Sequence, residues 1–469
     1  MSTPRIAILG GGITGLSAAF YLLREAGKQG IQPRITLLEA DTRLGGKIQT
    51  ERFDGFVMET GPDSFLERKA SAKQLAVDLG LEDRLVRNRT GQAYILRRGE
   101  LLPIPEGAVM GIPTRLSPFV TTPLFSPAAK LRAAGDLILP RRHRDGDISV
   151  GRFFRQRLGN EVVDQLIEPL LSGIYAGDID QLSLMATFPQ FAALEEKHRS
   201  LILGMKRTRP TRSDQKPQGM FLTLKDGLES LVDALAATLP QDSVRLSMRV
   251  ERIEKNDGRY RLFTQTGETL EADAVLMTLP QSETDRLFSG LDVPKAGRTV
   301  PAASVATVIL AYDADAARLE KDGTGFVVPR REPTTITACT WTHKKWPHTT
   351  PEGKALIRCY VGRSGDEAIV HESDEAIVSA VRRDLHSILG ISETPLFTRV
   401  TRWKQAMPQY TPGHAEWVAR LREKSRCHLP GIFWAGASFS GIGIPDCIDQ
   451  GKQAAIEAIQ YIHDSARKG

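Results

Sequence analysis

Gly10, Gly12 and Gly15 stand between the apolar run Arg5–Leu9 (RIAIL) and the helix-like stretch LSAAFYLLREAG, and no other feature restricts the chain so tightly. Ile6 and Ile8 in a short apolar run read as a buried parallel strand, and Ile35–Glu39 (ITLLE) reads as the next one. Strand, glycine turn, helix and strand make one βαβ unit. In such a unit Gly10 permits the tight turn, and Gly12 lets the backbone approach a pyrophosphate. Gly15 lets the helix pack close to the strand, and the turn through Gly11, Ile13 and Thr14 presents a helix N-terminus to the phosphates. Glu39, with Ala40 after it, ends the second strand about twenty residues further on. An acid there accepts hydrogen bonds from a ribose 2′-OH and disfavours a 2′-phosphate. The unit predicts a bound dinucleotide with a free 2′-OH and leaves its other half open.

The rest of the chain bounds the function class. Its 469 residues imply two or three domains. A net charge of +6 is spread along the sequence and leaves no nucleic-acid footprint. Cys339, Cys359, Cys427 and Cys447 form no CxxC pair, and Cys427 beside His428 is an isolated pair of neighbours, so no metal site is expected. Met1 is followed almost at once by the first strand, which leaves no room for a signal peptide, and no run of about eighteen apolar residues exists. A cytoplasmic protein is expected. Residues 110–142, and Ser149–Gly177 beyond them, read as helical text. Lys206–Gln218 (KRTRPTRSDQKPQ) reads as a surface loop or linker. Strand-like runs return at 243–253, 260–265, 269–272 and 274–279, then at 303–312, 325–328, 335–341 and 355–361. A late strand at 431–437 and a terminal helix at 451–463 complete the reading.

A second glycine pair lies just beyond Glu39, in Arg43-Leu-Gly45-Gly46-Lys47. It resembles the RxGG motif of the FAD-dependent amine oxidase superfamily, in which the backbone and basic residues meet the pyrophosphate and flavin. The resemblance implies FAD, with Arg43, Gly46 and Lys47 in contact. It places a backbone contact to adenine at Val250, in the stretch SVRLSMRV. Trp434-Ala-Gly436-Ala-Ser-Phe-Ser-Gly441-Ile-Gly443-Ile-Pro resembles the superfamily's C-terminal flavin segment, which implies contacts from Gly436, Ile442, Gly443 and Ile444, with a helix N-terminus aimed at the flavin. No second strand–GxGxxG–helix exists for NAD(P)H, so O2 is the expected electron acceptor.

Further segments resemble the Gram-positive-type protoporphyrinogen/coproporphyrinogen III oxidases: Gly61–Lys69 (GPDSFLERK), Pro105–Pro113, Leu171–Asp178 (LSGIYAGD), Thr337–Thr342, Trp403 with Met407–Tyr410, and Gly443–Gly451. The resemblance implies an α/β fold: a discontinuous Rossmann-like FAD domain (1–85, 215–282 and 400–469), a mixed-sheet substrate domain (86–95, 184–214 and 283–399) and an inserted helical domain (96–183). It implies six-electron oxidation of coproporphyrinogen III to coproporphyrin III in heme biosynthesis, with protoporphyrinogen IX left open as substrate. It places Gly61, Pro62, Asp63, Ser64 and Trp403 at the flavin, and Lys69, Ile174 and Tyr360 at the macrocycle. A hydride donor that aromatises needs positioning and a dry flavin face more than a base, so no catalytic side chain is expected. A transient contact with a chelatase and at most peripheral membrane contact are further expectations. His343 and His348, in a polar stretch, read as surface residues. Two rivals stay open: an amine oxidase or desaturase using Lys344 or Lys345 near the flavin, and a tetrapyrrole carrier holding FAD structurally.

Overall fold

Ile6 and Ile8 pack to one side of their strand, Ala7 and Leu9 to the other, and all four are buried. A strand apolar on both faces needs cover on both faces, which the centre of a parallel sheet provides. The computed structural model of the chain describes residues 3–89, 91–141, 146–208, 219–256, 258–288 and 298–468. In it Arg5–Leu9 is the middle of a five-stranded parallel sheet ordered Val244–Arg245, Arg34–Leu38, Arg5–Leu9, Ala274–Met277, Ile432–Trp434. Helices Ile13–Lys28 and Ile444–Lys468 pack along one another over one face. The other face carries an antiparallel sheet of Val250–Asn256, Arg259–Thr264 and Thr269–Ala272, together with helix His414–His428. The parallel sheet thus draws its strands from three distant parts of the chain, as a discontinuous Rossmann-like domain does.

Two boundaries differ from the sequence reading. The run 243–253 is two strands, because Ser247 turns the chain with φ at 52°. Its amide and that of Met248 donate to the carbonyls of Asp41 and Glu39, each at 2.8 Å. The terminal helix starts at Ile444, earlier than Gly451, so its first turn lies inside the glycine-rich segment itself.

A second sheet has seven strands, ordered Phe397–Pro408, Ala302–Asp313, Lys354–Val361, Ile336–Trp341, Gly325–Val327, Ala93–Arg97, Glu100–Pro103. Only the pairing of Gly325–Val327 with Ala93–Arg97 is parallel. Helix Asp374–Leu389 buries Ile377, Val381 and Leu385 against Val308, Leu310, Ile357 and Cys359 on one face. The alternate residues face the other way: Thr307 stands opposite Tyr360, and Tyr360 opposite Ala338. Phe397–Pro408 and Ala93–Arg97 run across the domain limits expected at 399/400 and 95/96.

The inserted helices share a core of Phe119, Phe125, Phe153, Phe154, Phe188 and Phe191. Inside it Arg157 and Asp136 form a buried ion pair, Nε to Oδ1 at 2.6 Å, with exposures of 1% and 0%. Helix Val150–Leu158 and a short helix at Asn160–Val162 lead into a π-helical turn, Val163–Ile167, and then helix Glu168–Tyr175. That last helix packs over strands Gly325–Val327 and Ile336–Trp341. Helix Leu201–Thr208 takes the first residues of the expected linker, and residues 209–218 lie outside the described residues. No helix among the described residues is long and apolar enough to cross a membrane.

Candidate active site

The glycine fingerprint lies at the carboxyl ends of the parallel strands, where α/β sheets bind their ligands. A Cβ on Gly15 would sit 1.9 Å from the Gly10 carbonyl oxygen, so only glycine lets the helix start this close to the strand. At Gly12 a Cβ would meet nothing within 4 Å among the described residues, and φ is an ordinary −72°. The protein itself therefore does not require glycine at 12. The first turn of helix Ile13–Lys28 has no side-chain cap, which leaves amide donors free for a phosphate.

The Arg43–Lys47 loop is zipped onto this turn: Gly45 N donates to Gly11 O at 2.8 Å, and Gly12 and Gly45 form a parallel bridge. Arg43 points back into its own loop and donates to the carbonyls of Leu44 (3.0 Å), Ile48 (3.2 Å) and Gly46 (2.5 Å). Its guanidinium shapes the loop, leaving backbone as the surface toward the cleft. Glu39 accepts from the amides of Gly11 (2.6 Å) and Asp41 (2.8 Å), and Ala40 is exposed beside it. Val250 opens its strand rather than ending one, is buried, and pairs with Thr264.

The far end of the chain closes against the same turn. Gly436 (φ 116°) is held by Gln450 Oε1 on its amide at 3.1 Å, and a Cβ there would lie 3.7 Å from Thr14 Oγ1. Ile442 leans on the helical core, and Cys447 N donates to Gly443 O at 2.9 Å in the first turn after Ile444. Tyr410 donates to Ala437 O, and His414 Nε2 donates to Phe439 O at 2.9 Å. Their rings stack at 4.2 Å between centres, so the pair holds the loop at Ala437 and Phe439. Burial pushes the His414 imidazole down to about 4.

The segment Gly61–Lys69 forms the opposite wall. A Cβ on Gly61 would lie 1.8 Å from Lys47 O, and Trp403 Nε1 donates to Thr60 O at 2.9 Å. Pro62 is half-buried, and Ser64 Oγ donates to Asp63 Oδ1 at 2.7 Å. Asp63 also takes Lys345 Nζ at 2.9 Å and Trp346 Nε1 at 3.3 Å, with Arg358 Nη1 4.0 Å away. Burial alone would raise its carboxyl, but Lys345 and then Arg358 outweigh it and hold the group well below the usual carboxylate range. Lys47 Nζ donates to Ala406 O, and desolvation by the surrounding walls lowers its ammonium although solvent reaches it.

The three expected substrate residues arrive from three places. Lys69 is 42% exposed and is paired with Asp446. Tyr360 lies on the open face of the seven-stranded sheet, with the Arg358 guanidinium carbon 4.9 Å from its ring centre. Ile174, 46% exposed, is on the helix that crosses that sheet. Sequence reasoning missed Glu59, Arg358, His414 and Asp446. Arg358 had a signal, standing two residues before Tyr360 on one strand face. Corrected too are His343 and His348, read as surface: both are half-buried, and His343 Nδ1 lies 3.0 Å from Leu356 O.

The cradle fits an ADP-bearing cofactor: an open glycine, free helix-start amides and a carboxylate at the ribose position. Comparison with known proteins agrees over the whole chain. A coproporphyrinogen III oxidase of Bacillus subtilis (strain 168) is 51% identical over 461 residues, 97% of this chain and 98% of that protein. A chloroplastic protoporphyrinogen oxidase of Nicotiana tabacum is 30% identical, covering 98% of this chain and 86% of that one. A crystal structure from Exiguobacterium sp. 255-15 superposes with a TM-score of 0.89 at 44% identity, over 99% of this chain and 100% of that one. The flavin containing amine oxidoreductases match residues 13–459, from the first helical turn of the fingerprint to the terminal helix, and this chain belongs to that family.

Proposed function

We propose that the protein is an oxygen-dependent coproporphyrinogen III oxidase, taking six electrons from the porphyrinogen to give coproporphyrin III and reducing three O2 to three H2O2. The observation that carries this reading is the end-to-end match, at 51% identity, with a protein that bears that name. FAD, when bound, supplies the two-electron acceptor that takes hydride from a meso carbon. The chain's own task is placement. Gly10–Gly15, Glu39 and the Arg43–Lys47 loop hold the ADP half. Gly436–Ile444, Gly61–Ser64 and Trp403 wall the flavin. Tyr360 and Ile174 face the macrocycle across the cleft, and Lys69 offers a cation to a propionate. Three hydrides leave meso carbons, each with one proton. Imine–enamine tautomerisation between the steps lets the fourth meso carbon lose its hydrogen as a proton. Four meso C–H and two N–H hydrogens thus go in all, and each two-electron step ends in one H2O2. Dry walls and fixed distances, rather than a strong base, serve such a step.

Protoporphyrinogen IX is the second reading, favoured by the tobacco relative. The two substrates differ in propionate number, four against two, so basic groups in the cleft decide between them. A cytoplasmic enzyme that hands its product to a chelatase, with at most peripheral membrane contact, belongs to the same proposal. Anaerobic mixing with coproporphyrinogen III tests it: the flavin absorbance should bleach within the turnover time. Flavin that stays oxidised rules out the oxidase, and faster bleaching by protoporphyrinogen IX transfers the assignment to that substrate.

A further inference from the structure

Beside Arg358, two residues from Tyr360 on one strand face, lies a partly enclosed cavity between the flavin-side segment and the seven-stranded sheet. It gives the centre of a water molecule about 20 Å³, against the roughly 10–15 Å³ that one water needs. Val57, Glu59, Asp63, Thr223, His348 and Arg358 are among the residues around it. Among the described residues, four buried polar atoms of its lining have no hydrogen-bond partner: Thr342 Oγ1, His348 Nε2, and Nε and Nη1 of Arg358. Although much of the wall is apolar, these atoms offer an ordered water the two to four polar partners it needs.

Arg358 is 4% exposed and has contacts in three directions. Its Nη2 donates to the carbonyl of Gly61, its guanidinium carbon lies 4.9 Å from the Tyr360 ring centre, and its Nη1 is 4.0 Å from Asp63. A buried guanidinium held by one direct hydrogen bond is unfavourable unless its other donors are satisfied. Glu59 faces the same cavity and is held from behind by Leu228 N at 2.6 Å and Thr50 Oγ1 at 3.0 Å. Each carboxylate oxygen keeps a lone pair for a further donor.

We propose that Arg358 is a positioning residue held by ordered water: the cavity water completes its hydrogen bonds and links it to Glu59, and the guanidinium so fixed locks Gly61 on the flavin side to Tyr360 on the substrate side. Its effect on turnover rests on the reading of the cleft as a porphyrinogen site; its hold on Gly61 does not.

Purified holoenzyme tests it with three variants. Arg358→Met should raise KM for coproporphyrinogen III about tenfold with kcat within about twofold, and should shift the flavin absorbance bands, because Gly61 loses its anchor. Arg358→Lys, which keeps a hydrated cation, should restore most of both. Thr342→Val removes one hydroxyl from the cavity without changing its volume, and should raise KM in the same sense with little change in Tm. It carries the test if Arg358→Met does not fold. A high-resolution crystal structure should show water within hydrogen-bond distance of Thr342 Oγ1 and Arg358. The proposal fails if the variants lower Tm while KM and the flavin spectrum stay put, or if the crystal cavity is dry. If wild-type flavin is not bleached by the porphyrinogen, the function assignment fails, and the flavin band shift of Arg358→Met still decides the role of Arg358.

Discussion

Lys69 places its ammonium 2.6 Å from both carboxylate oxygens of Asp446, and this pair joins the substrate-side segment to the first turn of the terminal helix. Asp446 therefore competes with any propionate that seeks Lys69. Because the pair is partly exposed, its own contribution to stability is small, about 1 kcal/mol or less. A porphyrin carboxylate can take its place at little cost. Asp446→Asn should tighten binding of coproporphyrin III about threefold to tenfold, and Lys69→Ala should weaken it by about as much. Quenching of flavin or porphyrin fluorescence on titration measures both. Equal affinities in wild type and Lys69→Ala would remove Lys69 from the site.

Gly12 and Gly15 should separate cofactor binding from folding. A methyl group at 15 strikes the Gly10 carbonyl, whereas one at 12 enters open space in an ordinary backbone conformation. Gly15→Ala should lower the Tm of the apoprotein by several degrees, because helix and strand must move apart. Gly12→Ala should leave the apoprotein Tm within about a degree and weaken FAD binding at least tenfold, since the methyl group occupies the approach to the pyrophosphate. Apoprotein melting and FAD titration read the two effects. A Gly12→Ala apoprotein that melts early would show that the turn, not the ligand, demands glycine there.

Legibility in the sequence followed the range of the interaction. Arg5–Leu9 and the fingerprint were readable because strand, turn and helix are neighbours in the chain and each glycine has a local reason. The strand Phe397–Pro408 was not, because Arg399, Arg402 and Lys404 interrupt its apolar alternation and its pairing partner is Ala302–Asp313. Asp63 with Lys345, and Lys69 with Asp446, are contacts between residues hundreds of positions apart. Nothing in either local segment announces its partner. The family resemblance supplied Tyr360 and Lys69 but not the side chains that hold them, since a motif names contacts with the ligand and not the structure behind them.

The Arg157–Asp136 pair makes that point energetically. Asp136 Oδ2 also accepts from Ser200 Oγ (2.6 Å) and Ile202 N (3.0 Å), while Arg157 donates to the carbonyls of Pro140 (2.9 Å) and Arg199 (2.7 Å). Arg157 Nη1 also lies 3.4 Å from Oε1 of the buried Glu195. Asp136→Ala therefore leaves a buried guanidinium with only one of its two carboxylates, and should destabilise the protein by about 3–5 kcal/mol. Exchanging all three charges for apolar residues, Arg157→Met with Asp136→Leu and Glu195→Leu, should be less harmful than Asp136→Ala alone. Urea unfolding followed by helical circular dichroism tests the order, and a triple variant less stable than the single one contradicts it.

Two buried titratable groups should give the stability curve opposing slopes over overlapping ranges, about pH 4–6.5 for His414 and about pH 4.5–7 for Glu59. His414 has a folded pKa near 4, set by burial, against an ordinary value of 6.5. The unfolded chain therefore binds the extra proton, and the stability from neutral His414 is full above about 6.5 and lost as pH falls toward 4. Its size is on the order of 3 kcal/mol. Glu59 runs the other way. Burial pushes its carboxyl up to about 7 from 4.5, outweighing the hydrogen bonds from Leu228 and Thr50 and the Arg358 charge. Here the folded chain holds the extra proton, so stability is full below about 4.5 and declines as pH rises through 7, again by an amount on the order of 3 kcal/mol. Glu59→Gln, which stays neutral, should gain stability over wild type at pH 8 and show no gain at pH 4. His414→Gln should remove the rise between about pH 4 and 6.5 and leave the Glu59 decline unopposed. Melting temperatures across pH 4–9 for the three proteins decide the matter. A Glu59→Gln variant that is destabilised equally at pH 4 and pH 8 would mean that folding leaves the carboxyl's pKa unshifted and that its hydrogen bonds and the Arg358 charge offset its burial.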